Sequence, residues 1–225
     1  MTNDKTNPEW KRYLKLMIER PNLFIPHEDY KFITMDEDVT DYEQKHNCIL
    51  GVIYETPKHL FVADLVSHNG TYMVKERLVP NTIQKHILII PIIDDNFILL
   101  SKFYHPIRNY MYTFPCTFVE QGYTSKEYST QFLKKLFGPC SCTSYYISDI
   151  QPNTEHYQCT TSIYAVKMER INLKKRKKIS FDYKLMNASQ MADYATGSFE
   201  FLNRDSYTIS AYAMYIEWKK QMGLF

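Results

Sequence analysis

Three kinds of side chain in this chain could do chemistry. Glu120, Glu127 and Glu155 are carboxylates that could hold a divalent cation, or serve as general base, if folding brought them together. Cys140, Cys142, His156 and Cys159 have a composition that zinc would accept, and Cys116 is a thiol that an adjacent histidine would turn into a nucleophile. Lys174-Lys175-Arg176-Lys177-Lys178 is a cationic run that could meet nucleic acid. Each has a plainer reading beside it. Glu127 is accounted for by helix capping, Glu120 by a solvated turn, the thiols by burial as small hydrophobes, and the basic run by a solvated hairpin loop with no aromatic platform beside it. The sequence fixes no histidine near Cys116, and strand pairing around a loop near Asn153 would put Cys142 opposite a residue well beyond Cys159.

The familiar phosphate and acyl-transfer motifs are absent. There is no G-x-S-x-G elbow, no G-x-x-x-x-G-K-[ST] loop and no G-x-G-x-x-G, and six glycines leave room for few such loops. The net charge of +2 implies neither strong steering toward nucleic acid nor an acidic partner. A composition of 44% hydrophobic and 23% charged residues, with 19 Tyr and 13 Phe, is that of a globular chain with aromatic-rich packing.

The element that must position any site is a helix within Thr113–Pro139. Thr124 and Glu127 have capping-box spacing, so a helix should start at about Ser125. Tyr128, Phe132, Leu133, Leu136 and Phe137 recur at helical spacing, and Gly138-Pro139 ends the run. This turn and helix resemble the signature segment of the Nudix hydrolases, G-x5-E-x7-REUxEExGU with U aliphatic. The stretch Phe114–Gly122 resembles the LPAG-x-x-E-x-G that precedes it in the ADP-ribose pyrophosphatase branch. Further resemblances are ILIIPIIDDNFILLSKFYHPIRNYMYTFP to VVVPVxDDxxVLLVxQFRxPxxxxxxELP, and DSYTISAYAMY to D-x-x-TxAAxxxY, so the likeness runs over about Asn47–Lys220.

Placing Gly122 and Gly138 on the family's glycines leaves no gap between them. In that register the family's Gly is Thr117, its Glu is Tyr123, its Arg is Gln131, and its three helix carboxylates are Phe132, Lys135 and Leu136. Carboxylates at i, i+3 and i+4 share one helix face and can bridge hard cations to a pyrophosphate. Phe132 and Leu136 offer no ligand atom, and the Lys135 ammonium would repel a cation. The family's substrate-holding Arg is Tyr104, with Arg108 close by in sequence.

The resemblance therefore implies an α+β fold, a Nudix-type α/β/α sandwich with a mixed sheet, preceded by an N-terminal helix and an antiparallel β-meander. Residues 1–80 would form that N-terminal part, which often mediates dimerisation in this branch and so implies a homodimer; residues 81–225 would form the Nudix-like domain. The favoured function is a catalytically silent protein that binds an ADP-ribose-like nucleotide or a protein partner without a metal. Lys135, Tyr104, Tyr123 and Arg108 are its candidate ligand-binding residues. The alternative is a divergent hydrolase of nucleoside diphosphate derivatives using Glu155 and Glu120 with Mg or Mn. Nucleic acid is not an expected partner.

Around these lie simpler elements. Asn7 should cap and Pro8 open a first helix with Trp10, Tyr13, Leu14, Met17 and Ile18 on one face. Asn47–Glu55, Leu60–Val66 and Thr71–Val79 read as strands, the last two joined by an Asn69-Gly70 turn. His86–Ile93 and Phe97–Phe103 read as strands buried on both faces. Cys142–Ile150, Cys159–Met168 and Phe181–Met186 read as strands; Ala188–Ala195 and Ser206–Met222 read as helices, the last capped by Asp205 with Ile209, Tyr212, Ala213 and Ile216 as its stripe. The first ten residues lack a signal-peptide pattern, and Ile87–Ile93 is far short of the ~20 residues that span a bilayer. Five cysteines, an odd number, do not suggest a secreted disulfide framework. A cytoplasmic protein with no membrane contact is the expectation.

Overall fold

The computed structural model describes residues 7–81, 85–151, 160–169, 182–197 and 204–224. They form two units, one drawn from residues 7–81 and the other from the remaining segments.

In the first unit, Asn7 caps helix α1 (Pro8–Glu19) by accepting from the Trp10 amide at 2.6 Å, and Pro8 occupies the first turn, where its missing N–H has no consequence. Trp10, Tyr13 and Leu16 are its buried face, with Leu14 and Met17 half-buried, whereas Ile18 is 82% exposed, so the expected stripe is displaced toward Leu16. After β1 (Tyr30–Phe32) comes α2 (Asp36–His46), a helix that apolar periodicity does not announce, because Val39 is its one buried side chain. Polar groups hold it instead. Trp10 Nε1 donates to Asp36 Oδ1 at 2.8 Å, and Glu43 Oε1 accepts from Asn7 Nδ2 at 2.6 Å and from the Leu50 amide at 2.7 Å. Asp36, Glu37 and Asp38 in the first turn and Lys45 and His46 in the last complement the helix dipole.

The meander follows as expected in β2 (Gly51–Glu55), β3 (His59–His68) and β4 (Thr71–Pro80), all antiparallel, with β1 and β2 end to end along one edge of β3 and β4 on the other. Asn69 and Gly70 both have positive φ, 50° and 78°, as a primed hairpin turn requires. Gly51 is needed for a different reason: at φ 103° its backbone passes so near α1 that a Cβ would strike the Glu9 carbonyl. Within this core the Asp64 carboxylate is buried and fully paired. It accepts from Arg77 Nε at 2.7 Å and from the Tyr13 hydroxyl at 2.7 Å, while the guanidinium also donates to the Leu23 carbonyl and covers the Phe24 ring at 4.9 Å. Such a pair orders the core; removing either partner would strand a buried charge.

The second unit is a mixed sheet between helices. Its strands are β5 (His86–Ile93), β6 (Asn96–Tyr104), β7 (Asn109–Thr113), β8 (Cys116–Phe118), β9 (Ser141–Ile150), β10 (Thr161–Glu169) and β11 (Tyr183–Met186). The order is β11-β6-β5-β10-β9, with β7 on β6 and β8 on β5, and β10 runs parallel to β5 while the other pairings are antiparallel. Helix α3 (Ser125–Phe137) covers one face; α4 (Ala188–Thr196) and α5 (Ser206–Gln221) cover the other. Strand β5 is rich in Ile and Leu because both of its faces are covered: Ile87 and Ile89 pack with Tyr128, Leu133 and Phe137 of α3, while Leu88, Ile90 and Ile92 pack with Met191, Tyr194, Ala211 and Tyr212. On α5 the buried stripe is Thr208, Ala211, Tyr212 and Tyr215; Ile209 and Ile216 lie beside it and Ala213 faces out, a correction of about one position to the expected stripe. No helix among the described residues is long and apolar enough to cross a membrane.

Candidate functional site

Helix α3 forms where its sequence places it. Thr124 Oγ1 accepts from the Glu127 amide at 3.2 Å while Glu127 Oε2 accepts from the Thr124 amide at 3.0 Å and from its hydroxyl at 2.7 Å, a complete capping box. These bonds favour the ionised Glu127 and hold its carboxyl below the usual range. Tyr128, Leu133 and Phe137 are buried, with Phe132 and Leu136 half-buried against the same core. Lys135 faces outward.

There Lys135 Nζ donates to both Glu120 oxygens, each at 2.6 Å. The Tyr128 hydroxyl also bonds to Glu120, and the ammonium lies 5.3 Å from the centre of the Tyr128 ring. The bond from Lys135 is the chief reason the Glu120 carboxyl is lowered and the Lys135 ammonium raised. Both side chains remain about half exposed, 44% for Lys135 and 53% for Glu120, so water screens the pair and it contributes little to stability. Tyr123, 43% exposed, leans on Tyr128 with ring centres 5.6 Å apart.

The four candidate ligand-binding residues are thus divided. Lys135 and Tyr123 meet through Tyr128 on the α3 face. Tyr104 lies on the opposite face, in a pocket of about 410 Å³ lined also by His86, Lys102, Phe114, Cys116, Asp205 and Tyr207. Burial first, and then the Asp205 carboxylate, pushes its phenol up to about 12. Arg108 caps the turn His105–Ile107 in the left-handed region at φ 52° and is exposed.

Glu155 lies outside the described residues, as do His156, Cys159 and Lys174–Lys178. Cys140 and Cys142 have their sulfurs 3.2 Å apart, and Cys142 stands opposite Met168 on β10, well past Cys159, as the loop-centred register requires. Burial, with Cys140 beside it, pushes the Cys142 thiol up to about 12. Among the described residues no three His, Cys, Asp or Glu side chains stand close enough to hold a metal ion. The outward residues of α3 do not fit the divalent cations that the Nudix resemblance implies, since an ammonium already paired to Glu120 occupies that surface.

One pairing is invisible in the sequence. His86 Nε2 stands 3.2 Å from the Cys116 sulfur, across 30 residues, because β8 folds back antiparallel on β5 with Cys116 opposite Leu88. Hydrophobic alternation indicates neither the three-residue strand β8 nor its register.

No family model matches this chain, and no curated protein matches it. Among solved structures the chain is similar to one described as "Crystal structure of ADP compounds hydrolase", with a TM-score of 0.62 over 77% of this chain and 93% of that one, at 17% identity. The likeness is one of fold. The chain has the Nudix-type α+β architecture with a mixed sheet that the resemblance implied.

Proposed function

We propose that this Nudix-fold protein binds an ADP-ribose-like nucleotide and does not cleave its pyrophosphate with a metal. The observation that carries the reading is the α3 surface, where a lysine paired with an exposed carboxylate occupies the place of a metal-binding glutamate in the resembled pattern. A diphosphate offers more negative charge than Glu120 and can exchange for it at Lys135, while the exposed Tyr123 ring offers a stacking face. Removing carboxylates from a phosphate site also removes repulsion. Tyr104 and Arg108 remain a second, separable set of contacts. Titration of ADP-ribose in EDTA tests the assignment: Lys135→Met should weaken binding about tenfold, the scale of one charged hydrogen bond, and Tyr104→Phe less. Unchanged affinity in Lys135→Met would remove Lys135 from the site.

Hydrolysis of nucleoside diphosphate derivatives with Mg or Mn is the second reading, favoured by the description of the solved neighbour. It makes Glu155 the base and Glu120 a ligand, and Glu155→Gln would then abolish turnover. Pairing of two chains through residues 1–80 belongs to the same proposal. Exposed Tyr54 on β2 and Tyr72 on β4 are consistent with it, and sedimentation at micromolar concentration would measure it.

A further inference from the structure

The pocket on the α5 side holds a nucleophile next to a base. His86 opens β5 and lies beside the first residue of β10, Thr161, in the parallel register. Thr161 is fully buried and its Oγ1 is 2.8 Å from His86 Nδ1. With Nδ1–H donating to that oxygen, Nε2 carries the lone pair and faces the Cys116 sulfur at 3.2 Å, nearer than Nδ1 at 3.9 Å. The ring is held on its flanks by Phe118, with centres 4.8 Å apart, and by the edge of Tyr207 at 6.4 Å. A thiol, a base aimed at it and a third group that orients the base are the parts that nucleophilic catalysis requires.

The surroundings suit a small acyl compound. Leu88, Phe114 and Phe118 give the pocket apolar walls, and Lys102, its Nζ 5.0 Å from the centre of the Tyr104 ring, supplies a cation at the rim. Asp205 also lines the pocket, but its Oδ2 is occupied in capping α5, where it accepts from the Thr208 amide at 2.9 Å and hydroxyl at 2.7 Å. Burial, and secondarily Lys102, lowers the proton affinity of His86 and so favours the neutral imidazole that a general base requires. Lys102 disfavours the imidazolium, and its ammonium would attract negative charge that develops on an acyl oxygen in the pocket.

We propose that Cys116 is a nucleophile, with His86 as its general base, for a small carboxylic ester or thioester entering this pocket. The sulfur forms a bond to the acyl carbon as its proton passes to His86 Nε2. The bond to the leaving oxygen or sulfur then breaks, and that atom takes the proton, leaving an alcohol or thiol and S-acyl Cys116. Water gives a proton to Nε2 as its oxygen joins the acyl carbon; the carbon–sulfur bond breaks, the carboxylic acid departs and the proton returns to sulfur. In sum an ester or thioester and one water become a carboxylic acid and an alcohol or thiol, with no oxidant and no metal. The proposal goes beyond nucleotide binding and does not rest on it.

The test is p-nitrophenyl acetate with the reduced full-length protein in EDTA and no nucleotide, followed by nitrophenolate release and by peptide mapping of the acetyl group. The expected result is acetylation of Cys116 ahead of the other four cysteines, with release continuing beyond one equivalent. Cys116→Ser should remove that adduct, and His86→Gln should slow acetylation at least about tenfold, toward the range general bases contribute, at an unchanged thermal midpoint. Should His86→Gln fail to fold, the pH profile of the native protein decides. A rate that is level at neutral pH and falls only as His86 protonates, below its ordinary 6.5, supports the pair. A rate rising with an ordinary thiol near about 8.5 overturns it. Acetylation first at another cysteine, an unaltered rate in folded His86→Gln, or release that stops at one equivalent would each overturn the proposal.

Discussion

Strand β5 separates two regions of very different chemical character. On the α3 side the inward residues are fixed by packing and the outward ones form a surface ion pair that closes on itself. On the α5 side a pocket keeps a thiol, an imidazole and an ammonium within one recess. The difference teaches which residues of the α3 segment are held by folding. The Thr124–Glu127 box, the buried Tyr128, Leu133 and Phe137, and the terminating Gly138 are required for α3 to exist and to dock. Position 135 need only tolerate a helix surface, whereas Phe132 and Leu136 are half-buried against the core, so the side chain at 135 can change while the fold stays.

This contrast can be broken by substitution. Phe137→Ala, at a fully buried position, should lower stability by roughly 3–5 kcal/mol, measured as a denaturant midpoint. A shift below one would mean that α3 is not anchored as described. Thr124→Ala should cost about 1 kcal/mol through the lost cap, and it should fray the helix start in hydrogen exchange while leaving Phe137 protected. Lys135→Met should leave the midpoint unchanged, because the partner it loses is solvated. Its effect should appear in nucleotide affinity alone. A loss of stability on that change would place Lys135 with the structural residues and end the contrast.

Much of the fold could be read because its signals are local. Asn7-Pro8, Asn69-Gly70, Thr124 with Glu127 and Asp205 each fix an element boundary within four residues. Helix α2 could not be read, since its anchors, Trp10 to Asp36 and Asn7 to Glu43, are polar contacts between distant residues. The site divides in the same way. The start and end of α3 could be read from the capping box and Gly138, and so could its buried face. Cys116 and His86 could not be joined, because their contact depends on the register of a three-residue strand and on a third strand that brings Thr161 beside the ring. The buried Asp64–Arg77–Tyr13 group was hidden for the same reason, a pairing set by strands β3 and β4 rather than by spacing.

The most direct test of the central claim is calorimetric titration of the full chain with ADP-ribose, once with Mg and once with EDTA, each mixture then analysed for AMP. The account predicts the same affinity in both and no AMP in either. AMP formed only with Mg would contradict it and move attention to Glu155 and Glu120.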